Sequence, residues 1–509
     1  MIVRLRIQLA GVALLVGLAG AASAPAQDHE AERIIGPYAK AAGGSRTLSR
    51  VRTLSLEGAL TASDGSSGTY TLDTKLPNRY YSEIVLSGKR LIESYNGKSA
   101  WREDSTGTIA TMTGPEAADL QAAATIANLR LLNLKKNKIA ASFAGHTSVR
   151  GKDALQLRLT AQNGAQRDFF FDPESHLVVK ESGAVGGAPE ELLYDDYRSE
   201  SGVQVPHKIE LHRGGETFTV DVAQVVVNGV IGERVFDLPV ASQVRLPDLK
   251  ALFKEIDDHQ KAIDKLKEDY AGTRVEDETE YDANGKVKER HEREYSFFYF
   301  HGEEISTLRK KDAKPLSDAE QKKETENAQK RIEEIQKSEA KKEAQDEKAR
   351  REGKEEKDDD GPGIETFLRT CQFVNPRRER FRGQDVLVFD FEANPEYRPR
   401  NWVEKIVQKL AGVVWIDERA HDVVRLEAYF ANDARIAGGL LASVQKGTGF
   451  VFEQAFVNDE VWLPTYEEAR VGARVLLVKG FRGSEVTRYS DYKKYHVDVQ
   501  SKVGAPKAE

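Results

Sequence analysis

Arg150-Gly151-Lys152-Asp153, followed by Leu155, Leu157, Leu159 and Ala161, is answered in the second half of the chain by Arg382-Gly383-Gln384-Asp385, followed by Leu387, Phe389, Phe391 and Ala393. The register of the two phrases is identical. Each leads to a second phrase at the same internal spacing: Asp172, His176, Val178, Val179 and Lys180 in the first half, Asp417, His421, Val423, Val424 and Arg425 in the second. Farther on, Val203-Gln204-Val205-Pro206 is matched by Val461-Trp462-Leu463-Pro464. Three phrases in one order imply two copies of one β-rich domain, each long enough to stand as a domain and not as a solenoid unit.

Outside the phrases, the chain opens with Arg4 and Arg6, an apolar run from Ile7 to Ala22, and then small residues. This is the layout of a secretory signal, with cleavage expected after Ala26, where Ala24 and Ala26 supply the small side chains that a signal peptidase needs. No cysteine near that site can accept a lipid anchor, so a soluble, exported, periplasmic protein is expected. No later stretch approaches the roughly 20 apolar residues needed to span a bilayer. The one cysteine, Cys371, excludes an internal disulfide and a thiolate metal cluster in a chain of 509 residues. The formal charge of −7 becomes −9 once Arg4 and Arg6 leave, which argues against non-specific nucleic-acid binding.

Residues 27–240 and 241–509 are expected to form the two domains. Ile34, Ile35, Tyr38 and Ala42 recur at helical spacing before Gly43-Gly44 stop the helix. Leu54, Leu56 and Leu60, then Tyr70 and Leu72, then Tyr80, Ile84 and Leu86 alternate with polar residues, as in an antiparallel sheet covered on one side. Asn96-Gly97 marks a hairpin turn. The Ala- and Leu-rich stretch from Pro115 to Leu134 is read as helix, and Thr217 to Val227 as strand.

The second copy begins with an amphipathic helix from Asp248 to about Tyr270, and Asp282-Ala283-Asn284-Gly285 then turns a long hairpin toward Tyr295–Phe300. A charged segment follows that the first copy lacks, at about 310–360. It is dominated by Lys, Glu, Ala and Gln, and predicts a solvated helix held by i,i+4 charge pairs with no face to bury. Its few apolar residues, Leu316, Ile332 and Ile335, argue against a stable coiled coil. Asp358 to Gly363 ends it as a flexible joint.

Catalytic signatures are missing. There is no His-Glu-x-x-His helix, no Gly-x-Ser-x-Gly elbow and no phosphate-cradling glycine loop, and Gly97-Lys98-Ser99 lacks the earlier glycine of a P-loop. Asp172 with His176, and Asp417 with His421, could each be imagined as a metal pair, but both sit between strands, where an Asp caps a four-residue turn and the His faces water. Asp282-Ala283-Asn284-Gly285 lacks the remaining ligands of a calcium loop. His207 and His212 fall on opposite faces of a strand and cannot chelate one ion. No metal, cofactor or catalytic residue is therefore expected. An apolar pocket between a curved sheet and its helices is the other candidate site, and a dry, filled core is the competing reading.

The helix ending in Gly43-Gly44, the strand Leu54–Leu60, Leu76-Pro77-Asn78-Arg79-Tyr80, Tyr95-Asn96-Gly97-Lys98-Ser99-Ala100-Trp101, and Phe171-Asp172-Pro173 leading into Leu177-Val178-Val179-Lys180 together resemble the LolA-like outer-membrane lipoprotein-sorting proteins, from about residue 28 to 240. The second copy resembles them more loosely, through Val414-Trp415-Ile416-Asp417 and the strand that follows, and departs from them in the charged insertion. The resemblance implies an α+β chain of two tandem half-barrels, each a curved antiparallel sheet enclosing helices. It also implies a periplasmic, non-enzymatic carrier whose apolar cavity accepts acyl chains, with a lipid or acylated protein as partner and a membrane-bound acceptor or envelope protein beyond it.

Alternation then picks out Tyr80, Ile84, Leu86, Trp101, Leu157 and Phe169 as cavity-facing in the first copy, and Phe389, Trp415, Leu426 and Phe452 in the second. The alternative is an envelope sensor or protein-interaction module with solid-core barrels and a charged docking arm. A hydrolase using scattered residues is a third reading. Cargo, acceptor and oligomeric state are not specified by the sequence.

Overall fold

The computed structural model describes residues 29–239, 251–252, 255–256, 266–282, 287–351, 364–436, 442–445, 447–475 and 481–495. The expected signal segment, most of the helix expected over 248–270, the turn at 283–285 and the joint at 358–363 lie outside these residues.

Thirteen antiparallel strands form the first sheet: β1 (Thr53–Ala62), β2 (Ser67–Lys75), β3 (Arg79–Leu86), β4 (Lys89–Tyr95), β5 (Ala100–Glu103), β6 (Ile109–Thr111), β7 (Ala140–Val149), β8 (Lys152–Thr160), β9 (Gln166–Phe171), β10 (Val178–Val185), β11 (Ala188–Glu200), β12 (Val203–Arg213) and β13 (Glu216–Val227). Their order is β6-β5-β4-β3-β2-β1-β13-β12-β11-β10-β9-β8-β7, so the first strand pairs with the last and two meanders run outward from that seam. Helices α1 (His29–Ala41) and α2 (Ser45–Leu48) precede the sheet, and α3 (Gly114–Leu129) joins β6 to β7. Gly43 ends α1 with φ +126°, and a Cβ there would collide with the carbonyl of Gly202, so both conformation and space demand glycine.

Curvature follows from contacts. Helix α3 touches β2–β5 on one arm and β9 and β10 on the other. β4 and β10 are seven inter-strand spacings apart in the sheet order, about 34 Å if the sheet were flat, whereas a helix with its side chains is only about 10–12 Å across. The sheet therefore curls around α3, whose Leu120, Ala123 and Ala124 pack with Tyr80, Tyr95, Met112 and Val185. A second link spans the same interior: Arg213 on β12 pairs with Glu93 on β4 and, at 3.8 Å, with Glu190, which Arg167 approaches at 3.4 Å. Arg167 also binds Glu181 at 2.6 Å and is almost fully buried.

The second sheet also has thirteen strands: β14 (Tyr270–Tyr281), β15 (Val287–Phe300), β16 (Glu303–Lys311), β17 (Lys314–Pro315), β18 (Cys371–Phe381), β19 (Gln384–Ala393), β20 (Leu410–Asp417), β21 (Val423–Phe430), β22 (Ala434–Ile436), β23 (Ala442–Val444), β24 (Gly449–Val457), β25 (Val461–Val475) and β26 (Phe481–Lys494). Its main path is β17-β16-β15-β14-β26-β25-β24-β21-β20-β19-β18, again with first strand beside last. The repeated phrases take equivalent places. Arg150-Gly151 and Arg382-Gly383 are both two-residue hairpin turns, with φ of +50° and +76° in the first and +49° and +86° in the second. Val203–Pro206 begins β12, and Val461–Pro464 begins β25.

Both Asp-His turns are capped as expected. Asp172 Oδ1 accepts from the backbone N–H of Glu174 (3.1 Å) and Ser175 (2.6 Å), and Asp417 Oδ1 from Arg419 (2.9 Å) and Ala420 (2.6 Å). His207 and His212 each pair with a different glutamate, Glu200 and Glu210. Among the described residues there is no group of three or more His, Cys, Asp or Glu side chains arranged to hold a metal ion, and no helix is long and apolar enough to cross a membrane.

The charged insertion forms α4 (Asp318–Arg351), and here the expectation of a helix with nothing to bury is overturned. Ile332 and Ile335 are buried against Ile305, with Phe298, Phe300 and Ala328 around them. One apolar pair suffices because the helix start is locked by a reciprocal cap. Ser317 Oγ and N–H donate to Glu320 at 2.7 and 2.9 Å, and the Glu320 N–H points back at Ser317 Oγ at 3.4 Å. Arg331–Glu303 (2.7 Å) and His301–Glu339 (2.9 Å) tie the same helix to the sheet. Two short helices, α5 (Ile364–Thr370) and α6 (Trp402–Val407), precede β18 and β20.

Candidate functional site: a cavity at the seam of the two sheets

The ten residues read as cavity-facing lie in packed cores or on half-buried strand positions. Ile84 sits in the main core of the first sheet with Leu56, Leu60 and Val220, and Leu86 packs against its edge. Tyr80 lies under α3. Leu157 and Phe169 are covered by Ala31 and Ile34 of α1 and by Ile126. Trp101 faces away from α3, where Ile92 and Leu238 cover it and its Nε1–H donates to the carbonyl of Phe236 at 2.8 Å. In the second sheet Phe389 packs with Leu252 and Ile256, Trp415 with Tyr270, Phe297 and Trp462, and half-buried Leu426 stands opposite half-buried Phe452. Alternation assigns each residue to a face, but which face stays open depends on what the rest of the chain lays over it.

A cavity of about 410 Å³ lies where the two sheets meet, and none of those ten residues lines it. One wall is the face of α3 that carries Ala117, Ala118, Gln121, Ala122 and Thr125; the other is built by Glu427, Ala428 and Tyr429 of β21, Phe450 and Val451 of β24, and Glu468 and Arg470 of β25. Lining residues Tyr95, Ala100, Met112, Ala122, Val413 and Ala428 are buried and form the floor, whereas Lys136, Asn137, Asn432, Asp433 and Gly447 are exposed and mark the mouth. Helix α3 is thus buried on two sides. Leu120, Ala123 and Ala124 meet its own sheet, and alanines with one Thr and one Gln meet the seam, where space remains because the side chains are short.

A buried polar joint holds the two sheets in register. Asp390, fully buried on β19, accepts from Asn96 Nδ2 (3.2 Å) and Ser99 Oγ (3.2 Å) of the first half, and from Asn375 Nδ2 (2.9 Å) and Arg377 Nη1 (3.0 Å) of its own. Glu379 accepts from the Thr111 N–H (2.9 Å) and hydroxyl (2.5 Å) and from Arg377 Nε (2.9 Å). Lys98 reaches Glu392 at 2.9 Å, and the Tyr429 hydroxyl donates to the carbonyl of Lys98 at 3.1 Å. Gly97-Lys98-Ser99 therefore works as the docking turn of the first half.

Charges along the seam are mostly matched within the protein. Burial opposes the Arg470 charge, yet the adjacent Glu468 carboxylate outweighs it and the guanidinium is held in its charged form more firmly than usual. Burial pushes the phenols of Tyr95 and Tyr429 above their ordinary range, so both are neutral hydrogen-bonding groups; Tyr95 accepts from Gln121 Nε2 at 2.9 Å.

One legible signal went unused in the sequence. Asp390 interrupts Val386-Leu387-Val388-Phe389-Asp390-Phe391, and a carboxylate inside so apolar a strand requires buried partners. Those partners come from the other half, which no local pattern could identify.

No protein-family model matches the chain, and no curated protein does either. Among solved structures it is similar to a LolA superfamily protein from Nitrosomonas europaea (14% identity, 41% of this chain and 97% of that chain, TM-score 0.28). It is likewise similar to a putative outer membrane lipoprotein-sorting protein domain from Vibrio parahaemolyticus (10%, 40% and 97%, 0.27) and to the Pseudomonas aeruginosa MucA/MucB complex (9%, 92% and 100%, 0.17). With TM-scores this low, the strand order and not the likeness defines the fold; the family that the sequence phrases resemble is nonetheless among the solved structures to which this chain is similar.

Proposed function

We propose that this is an exported, periplasmic, non-enzymatic binding protein made of two LolA-like half-barrels in tandem, and that an acyl chain or similarly slender amphiphile occupies the cavity between them. The supporting observation is the cavity's composition: a buried, largely apolar floor under α3 and an exposed polar mouth. Its volume of about 410 Å³ falls in the lower part of the range of roughly 300–1,000 Å³ typical of small-molecule sites. Each methylene taken from water into such a floor contributes about 0.8 kcal/mol, enough to hold a chain without covalent chemistry.

The test is native mass spectrometry of protein purified from the periplasm without detergent, with organic extraction of any adduct, on wild type and on Ala118→Leu/Thr125→Leu. Both substitutions lengthen side chains on the seam face of α3. Acylated adducts on the wild type and their loss from a variant that melts normally are the expected results. Equal adduct on both proteins would sink the seam assignment.

A second reading is favoured by the large buried apolar clusters of both sheets. Here the barrels are solid, and the protein is an interaction module that docks an envelope partner through α4. A wild-type mass that stays bare after incubation with lipid vesicles would move the assignment to this reading.

A further inference from the structure

The charges around the seam cavity are not evenly matched. Of the charged groups on its wall, Lys98 is paired with Glu392, Arg470 with Glu468, and Glu427 with Arg425. At the mouth stand Lys136 and Lys138, with Asp433 across from them on the second half. Neither lysine enters an ion pair among the described residues, in a chain whose formal charge is −7. Two cations against one carboxylate leave the mouth positive.

These lysines are not on a dangling loop. The turn from Arg130 to Ile139 holds four non-glycine residues with positive φ: Arg130 (+48°), Leu131 (+59°), Asn133 (+53°) and Lys138 (+59°). Each costs about 1–2 kcal/mol relative to a right-handed residue. The turn keeps that shape because Leu131, Leu134 and Ile139 are sunk in the core with Ile126, Leu157 and Phe169. Pinning the apolar residues inward leaves Lys136 and Lys138 at the rim, beside the alanine face of α3.

Taking the seam cavity as the binding site, we infer that its ligand is an anionic amphiphile: a single chain lies along Ala118, Ala122 and Thr125, and a carboxylate or phosphate headgroup sits between Lys136 and Lys138. A phosphate and a carboxylate share the chemistry that two ammonium groups recognise, an anion with several acceptor oxygens.

The test compares palmitate, lysophosphatidylglycerol and the uncharged monopalmitin, each below its micelle concentration, by native-mass titration of the full mature chain. Wild type, Lys136→Gln/Lys138→Gln and the neighbouring surface control Lys135→Gln are measured side by side. The double variant is expected to bind the anionic probes about fivefold to tenfold more weakly, with monopalmitin and the control unchanged. Preference for palmitate or for the lysophospholipid identifies which headgroup the site takes. Equal loss for monopalmitin, or no loss for either anion, overturns the headgroup assignment while the cavity remains a lipid site. Failure of all three probes to bind the wild type overturns the seam reading itself.

Discussion

The two sheets both pair their first strand with their last and share matching hairpin turns, yet one stretch of each interior is built from the opposite material. In the first, Arg167, Glu181, Glu190, Arg213 and Glu93 form a buried ionic chain beside α3, with the Tyr194 hydroxyl donating to Glu181 at 3.0 Å. In the second, all eight positions of β20 are buried: Val413 and Trp415 pack on one face, Val414 and Ile416 on the other. Topology is thus set by turns and hydrogen-bonded register, and it tolerates very different fillings. Burial pushes the Glu190 carboxyl upward and Arg167 is the first force opposing it, so this ionic stretch depends on mutual pairing in a way that the apolar packing of β20 does not.

That contrast can be broken most severely by unpairing the first interior. Arg167→Met alone leaves buried carboxylates and is expected to cost about 3–5 kcal/mol in urea unfolding, while Arg167→Met/Glu181→Gln/Glu190→Leu should recover a large part of it. In the second interior Trp415→Ala is expected to cost a similar 3–5 kcal/mol with no companion substitution to rescue it. A triple variant no better than Arg167→Met would show that the charges matter for shape rather than pairing.

At the joint between the halves, Asp390→Ala takes from buried Arg377 one of its two carboxylates, the other being Glu379, and is expected to cost about 2–3 kcal/mol. Faster amide exchange should then appear around Asn96–Ser99 as well as on β19, and exchange limited to β19 would contradict a joint shared by both halves.

A smaller difference is expected in pH response. Burial, and then the nearby Glu304 charge, push the Glu467 carboxyl up to about 7. Its folded value lies above its unfolded one, so its contribution is most favourable below about pH 4.5 and falls as pH rises toward 7. The residue is partly exposed, and the effect is about 1–2 kcal/mol. Glu467→Gln should flatten the decline in Tm across that window, and an unchanged slope would dismiss the carboxyl as its source. The least global effect belongs to Ile335→Ala on α4. We expect under 1 kcal/mol overall but faster proteolysis within α4, because this contact anchors an appendage that the first half lacks.

Legibility followed the range of the interactions. The hairpins at Arg150-Gly151 and Arg382-Gly383 and the capped turns at Asp172 and Asp417 are settled within a few residues, and they were readable. The helix after Pro115 was readable too, although it stops at Leu129, where Arg130 and Leu131 turn left-handed. For α4, charge density concealed an anchor as small as Ile332 and Ile335. Trp101 lies on a strand as its alternation predicts, but on the face away from α3, because its cover, Phe236 to Leu238, comes from more than a hundred residues away.

The sequence by itself determined the repeated phrases, the antiparallel strands and their turns, since each depends on local periodicity or on neighbours along the chain. Only the tertiary structure decided that a cavity lies between the two sheets. The reason is physical: a cavity is unfilled volume between elements that meet without being neighbours in sequence, and no residue's own pattern records what another element fails to cover.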